Sequence, residues 1–321
     1  VLYSNKSINV PNVDLEIPFL SQTDIDDITF AAKNDGDFLA LSFVNNTKDI
    51  NDVRNLLKSL GSNMEIISKV ECVNAINNLD EIIDASDGIM VARGDLGVET
   101  DLEMLPIVQK DMIKRCKEKG KYVIVATEML SSMVKSSRPT RAEVSDISNA
   151  VFDGCDCVML SNETTVGMYP VLACGFMSKI CINTEQFIEK HGDVKFGVSN
   201  DVTYNVASCV NECTKNLDIK ALVVPTSGGH SAKIMSNLRP NTVILALCSN
   251  EKVARSLLLC YGIYPRVVTL NENDMGSLVD VCINLSSKLL NLKENDLVII
   301  TGGFHRRDNI KETNFFKIER V

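Results

Sequence analysis

A short apolar run followed by a stretch with helical spacing recurs every roughly 25 to 35 residues through the first half of this 321-residue chain, and that rhythm constrains its fold more than any other feature. The runs are Phe38 to Val44, Met64 to Val70, Gly88 to Ala92, Tyr122 to Ala126 and Cys157 to Leu160. Between them, sets such as Val53, Leu56, Leu57 and Leu60, or Leu105, Val108, Met112 and Cys116, recur at the interval that lines one face of a helix. Near-continuous β-branched runs joined by helices fit a parallel sheet covered on both faces, since such strands have no solvent side to carry polar residues.

Each run ends in polar residues: Lys69 and Glu71, then Arg93 and Asp95, then Thr127 and Glu128, then Ser161 and Glu163. Reactive side chains at the carboxyl ends of successive strands are the mark of a (β/α)₈ TIM barrel, which gathers its active site on that face. An open doubly wound sheet would gather them only at its switch point, and the Gly-x-Gly-x-x-Gly fingerprint is missing. Five β/α units are visible where a closed barrel needs eight, so either the sheet is open or this is a partial barrel whose three other strands should precede Val1.

After Phe187 the rhythm changes. Glu189 to Ser199 is polar, and a helical stretch from Asp201 to Leu217 opens a second α/β run with strands expected at Ala221 to Pro225, Thr242 to Leu247, Arg266 to Leu270, Leu297 to Thr301 and Phe315 to Val321. Residues 18–187 and 188–321 are therefore expected to be separate domains, a barrel part and a smaller domain with a mostly parallel five-stranded sheet.

Composition narrows the function. A formal charge of −9 argues against nucleic acid or an anionic membrane as partner, and no apolar run approaches the ~18 residues of a membrane span. Eleven cysteines, odd in number and embedded in apolar runs, suit reduced thiols in the cytoplasm, and three histidines leave little room for a His-based metal site.

The strand period of two puts Lys69 and Glu71 on one side of the sheet, pointing into the barrel mouth. Asp95 falls between Gly94 and Gly97, where a tight turn could bring backbone to a ligand. Glu71 and Asp95 together offer two hard oxygen donors, the usual protein share of a Mg²⁺ site. A Lys and a Glu two apart are more often a surface pair, and Arg93-Gly94-Asp95 alone matches an adhesion tripeptide, but the hydroxyls of Thr127 and Ser161 at neighbouring strand ends complete a complementary set.

Ile67-Ser-Lys-Val-Glu71, Met90-Val-Ala-Arg-Gly-Asp-Leu-Gly-Val-Glu99, Val125-Ala-Thr-Glu-Met-Leu130, Arg138-Pro-Thr-Arg-Ala-Glu-Val-Ser-Asp146 and Asp153-Gly-Cys-Asp-Cys-Val-Met-Leu-Ser-Asn-Glu-Thr164 closely resemble, in order, the signature segments of the pyruvate kinase family. The resemblance runs from about Ser4 onward and implies transfer of phosphate from phosphoenolpyruvate to ADP, giving pyruvate and ATP, in a cytoplasmic homotetramer. It implies that residues 1–17 are the end of a lid domain and its return to the barrel, and that the chain alone is incomplete for activity. A non-catalytic effector-binding or assembly subunit is the alternative. By resemblance Lys69 stabilises the transferring phosphoryl group, Glu71 and Asp95 hold Mg²⁺ or Mn²⁺, and Ala92, Arg93 and Gly94 form a loop whose backbone cradles the substrate carboxylate. Thr127, also substrate-binding, and Ser161 resemble the hydroxyls of a proton relay, and K⁺ is implied with ligands outside this chain. Val70, Cys72, Glu128 and Asn162 depart from the family pattern.

In the second domain, Pro225 to Ala232 links a strand to a helix, and its residues Thr226, Ser227, Gly229, His230 and Ser231 suit a phosphate at a helix N-terminus. A Gly turn capped by Ser231 is the plainer reading. The resemblance implies a sugar-phosphate effector there, with Gly228 standing where the family has a hydroxyl residue; His230, Arg306 and Arg307 are read as cationic donors and His191 as a surface linker residue.

Overall fold

The computed structural model describes residues 18–191, 200–269, 275–303 and 312–321, with side chains left aside at 189–191 and 275–277. The expected lid segment 1–17, Arg306, Arg307 and the His191 side chain lie outside the described residues. The chain divides into two compact units, Val1–Phe187 and Ile188–Val321.

In the first unit, β1 (Phe38–Leu41), β2 (Glu65–Val70), β3 (Gly88–Ala92), β4 (Tyr122–Ala126) and β5 (Cys157–Met159) form one parallel sheet in the order β1-β2-β3-β4-β5. Chain order equal to sheet order, with a helix after each strand, is how a (β/α)₈ barrel is laid down, and it brings all carboxyl ends to one edge. β3 and β4 are buried at every position, as their unbroken apolar sequence requires. The covering helices contribute Val53, Leu57, Met112, Ile113, Cys116, Ile147 and Ala150 to the core. β1 stops at Leu41, short of Val44, because Phe43 takes a left-handed φ of 51° that breaks the extended chain.

In the second unit, β6 (Ile219–Thr226), β7 (Ile244–Cys248), β8 (Ile263–Val267), β9 (Leu297–Gly302) and β10 (Phe315–Arg320) form a sheet in the order β10-β9-β6-β7-β8, parallel except for β10. The strand expected from Arg266 begins three residues earlier, at Ile263. It includes Pro265, which a sheet tolerates here because β8 is an edge strand whose outer N–H groups need no partner. Among the described residues no helix is long and apolar enough to cross a membrane, and all eleven cysteines are free thiols.

Candidate functional site

Two hydrogen bonds join the carboxyl ends of β1 and β2, and an ion pair lies within the β2 end. Lys69 Nζ lies 2.7 Å from Glu71 Oε1 and donates to Ser42 Oγ at 2.9 Å. The left-handed turn at Phe43 points its N–H at Glu71 Oε2, 2.6 Å away. Glu71 is almost fully buried, at 1% side-chain exposure, whereas Lys69 retains 24%. Burial pushes the Glu71 carboxyl above the ordinary carboxylate range; the Lys69 ammonium and the Phe43 N–H oppose that, and the negative charge of Asp95 adds to it.

Glu71 Oε1 is buried with no aligned donor, so the ammonium meets it as a charge contact off the hydrogen-bonding angle. Burying the Glu71 carboxylate costs free energy that a hard cation bound there, together with the ammonium, would offset. Asp95, close enough to act on the Glu71 charge, stands in the first turn of the helix Arg93–Glu99. Two carboxylates of this kind fit a Mg²⁺ or Mn²⁺ ion that draws its remaining ligands from substrate and water.

The segment after β3 corrects one expectation. Ala92, Arg93 and Gly94 are not an open loop: Ala92 precedes the helix and Arg93 and Gly94 begin it, and neither Gly94 nor Gly97 takes a positive φ. The sequence Arg-Gly-Asp-Leu-Gly-Val-Glu continues into a helix because Leu96 buries completely and Thr100 closes the last turn on the Leu96 carbonyl. The Gly94 N–H donates to Thr127 Oγ1 at 2.7 Å, and a Cβ added at Gly94 would sit 3.5 Å from that oxygen, filling the space beside the hydroxyl.

At the end of β4, Thr127 and Glu128 both adopt left-handed conformations, φ 69° and 55°. Such backbone costs of order 1–3 kcal/mol per non-glycine residue and persists only where surroundings impose it. The Thr127 hydroxyl donates to the Ala126 carbonyl at 2.6 Å, and its own carbonyl accepts from Arg93 Nη2 at 2.6 Å and Nε at 3.2 Å. Ser161, after β5, contacts Glu163, whose buried carboxylate accepts the Ser161 N–H at 2.8 Å and the Leu130 N–H at 2.9 Å. Glu163 thereby ties the β5 end to the loop after β4.

The structure thus joins Lys69 with Glu71, and Gly94 and Arg93 with Thr127, while Ser161 is held by a separate contact. Sequence reasoning missed Ser42 and Phe43, which reach Lys69 and Glu71 across 27 and 28 residues. It also missed Asp146, 53 residues from Arg93 and 2.6 Å from its guanidinium. For Ser42 and Phe43 the only signal is position just past a strand; Asp146 lies in the Arg138–Asp146 signature segment, which by itself gives it no partner.

In the second unit, Thr226 to Ser231 connects β6 to the helix His230–Asn237. Ser231 does not cap this helix: Gly229, at φ 84°, is the N-cap residue, and Thr226 Oγ1 accepts the Gly229 N–H at 2.9 Å. A left-handed cap position suits Gly, which has no Cβ to clash. The Ser231 hydroxyl accepts from Thr313 Oγ1 at 2.7 Å, while Ser227 and His230 are exposed.

Residues 1–174 match the family model described as "Pyruvate kinase, barrel domain", and residues 204–319 the one described as "Pyruvate kinase, alpha/beta domain". The chain is similar to a pyruvate kinase of Sporosarcina psychrophila, 40% identical over 314 residues, and to one of Geobacillus stearothermophilus, 41% identical over 308; each alignment covers 94% of this chain and 52% of the relative. A pyruvate kinase of Clostridium acetobutylicum is 36% identical over 327 residues, covering 99% of this chain and 68% of the relative. The chain therefore spans about half the length of the first two relatives.

Proposed function

This chain belongs to the pyruvate kinase family, and from that premise we propose that the intact protein transfers the phosphoryl group of phosphoenolpyruvate to ADP in the cytoplasm, releasing pyruvate and ATP. The observation that carries the reading is Glu71: a buried carboxylate with one oxygen lacking an aligned donor, beside an ammonium that keeps access to solvent.

A transferring phosphoryl group spreads negative charge over its oxygens, and the Lys69 ammonium, fixed by Glu71 and Ser42, supplies positive charge without reorganising. A Mg²⁺ or Mn²⁺ ion held by Glu71 and Asp95 would neutralise further charge on phosphoryl and enolate oxygens when bound. K⁺ dependence is part of the same reading, with its ligands outside this chain. In this reading the Ala92 to Gly94 backbone at the start of the 93–99 helix cradles the substrate carboxylate, beside the Thr127 hydroxyl that accepts the Gly94 N–H.

Phosphoryl loss leaves an enolate whose methylene carbon must gain a proton. The Thr127 hydroxyl gives up that proton by turning from the Ala126 carbonyl, and recovers one from water, with Ser161 as a second hydroxyl of the relay. A neutral hydroxyl suits this step better than a carboxylate, whose charge would oppose the developing enolate.

The second unit is the effector and assembly domain in this reading. Its loop Thr226 to Ser231 follows β6, where the sheet order reverses between β6 and β9, the place at which open α/β sheets collect anionic ligands. Assembly as a homotetramer is consistent with the exposed Val98, Leu102, Met104 and Ile107 of the first unit, and sedimentation of the full-length protein measures it.

The test of the activity is a full-length preparation given phosphoenolpyruvate, ADP, Mg²⁺ and K⁺, with pyruvate followed through lactate dehydrogenase. Turnover abolished by Lys69→Met is expected; turnover unaffected by that change would end the reading.

A further inference from the structure

Arg93 belongs to the segment whose backbone is assigned to the substrate, but its side chain goes elsewhere. The side chain is only 8% exposed, and its guanidinium reaches the end of β4, where Nη2 and Nε both donate to the Thr127 carbonyl, at 2.6 and 3.2 Å. Its remaining edge is fixed by Asp146 of the helix Arg141–Asp153, with Nη1 to Oδ2 at 2.6 Å. The carbonyl it grips belongs to a β-branched residue in left-handed backbone, followed by a second left-handed residue, and neither is glycine or asparagine. Freed of that grip, the Thr127 peptide would relax toward ordinary φ, and the turn would carry the Thr127 Cβ and hydroxyl with it. The same residue sets the other side of the contact, because the Gly94 N–H that meets the Thr127 hydroxyl is the next peptide along from Arg93.

We infer, on the reading of Thr127 as the proton-delivering hydroxyl, that Arg93 anchored by Asp146 is a positioning residue: it holds the Thr127–Glu128 turn in its left-handed form and thereby aims the hydroxyl at the enolate carbon. It acts through Thr127 and touches no reacting atom. A guanidinium is suited to this because its planar fork gives two donors to one carbonyl while a third pairs with a carboxylate, which an ammonium cannot reproduce in one geometry.

The experiment uses the full-length protein and two readouts: exchange of the pyruvate methyl protons with D₂O followed by NMR, and kcat with KM for phosphoenolpyruvate. Rates are normalised to the folded fraction from thermal unfolding. Arg93→Met is expected to slow both exchange and kcat about a hundredfold while KM moves little, as misplacing a reacting group by ~1 Å does. Arg93→Lys is expected to fall between the two. In a Thr127→Ala background, Arg93→Met should cost no more than about twofold further, because its effect runs through the hydroxyl already removed.

Losses that multiply in the double variant would overturn the assignment, as would slowed exchange in Thr127→Ala with normal exchange in Arg93→Met; both leave the proton role of Thr127 intact. Normal exchange in both single variants would remove that role and the positioning role with it. Should Arg93→Met fail to fold, Asp146→Asn loosens the anchor and keeps the fork, and it should show a smaller loss with the same non-additivity. Normal exchange in folded Asp146→Asn and Arg93→Lys together would equally overturn the assignment.

Discussion

The two sheets of this protein each have five strands, yet they use their carboxyl ends differently. In the first, chain order equals sheet order, so every strand end lies beside the next and the ends carry charge: Lys69, Glu71 and Asp95, with the hydroxyls of Thr127 and Ser161 further along. In the second, the order reverses at β6 and β9, and the loop at the reversal carries hydroxyls and glycines without an acidic residue. A row of ends can hold an ammonium and carboxylates in register for phosphoryl transfer, whereas a single crevice can hold one anion. The contrast teaches that strand order alone decides how many chemically different groups a parallel sheet can present together.

The sharpest way to break this comparison is at Asp95. Asp95→Ala in the full-length protein should reduce kcat by about a hundredfold and raise the Mg²⁺ concentration needed for half-activation, as losing a charge-stabilising group does. A metal titration of turnover decides it, and unchanged Mg²⁺ dependence would take Asp95 out of the site.

A smaller effect is expected in the second unit. The Thr226 to Ser231 loop keeps its helix start, but Gly228 lacks a hydroxyl, and one lost hydrogen bond to a charged group is worth about 1.5–3 kcal/mol, tenfold or more in affinity. Activation by fructose 1,6-bisphosphate should accordingly be weak. A Cβ at Gly228 meets nothing within 4 Å, and its φ is not left-handed, so Gly228→Ser should fit without strain. It is expected to lower the half-activating concentration about tenfold, read from phosphoenolpyruvate saturation curves. No shift would mean that the loop is not an anion site.

The smallest effect concerns Glu143, which supports the helix bearing Asp146. Burial alone would raise its carboxyl, but hydrogen bonds from Ser132 and Thr140 outweigh it and hold the group below the ordinary value of 4.5. A carboxyl lowered by folding adds stability at pH values above its unfolded pKa and loses it as pH falls through the folded one. Glu143→Gln should therefore cost roughly 1 kcal/mol at pH 7, the scale of a helix cap, and progressively less below pH 4.5. Denaturant unfolding of both proteins at pH 7 and pH 3.5 measures it; a gap that persists undiminished at low pH would show that the charge is not what stabilises the cap.

What the sequence by itself determined is what short-range periodicity encodes. The strands β2 to β5 and β9 lie where apolar runs put them, and Lys69 meets Glu71 two residues on, just past the end of β2. Where a local rule has an exception, the sequence misled: Pro265 hid the start of β8, and the glycines flanking Asp95 suggested a loop where a helix forms. The tertiary structure alone decided which distant groups complete the site. Ser42 and Phe43 reach Glu71 and Lys69 only because β1 pairs with β2, and Asp146 reaches Arg93 only because the helix after β4 packs back beside the β3 end. The left-handed backbone at Thr127 and Glu128 was equally hidden, since neither residue favours it, and the force that imposes it comes from a guanidinium 34 residues away in the chain. Periodicity is a property of neighbours along the chain, whereas an ion pair or a strained turn exists only once chain segments far apart in sequence have been brought into contact.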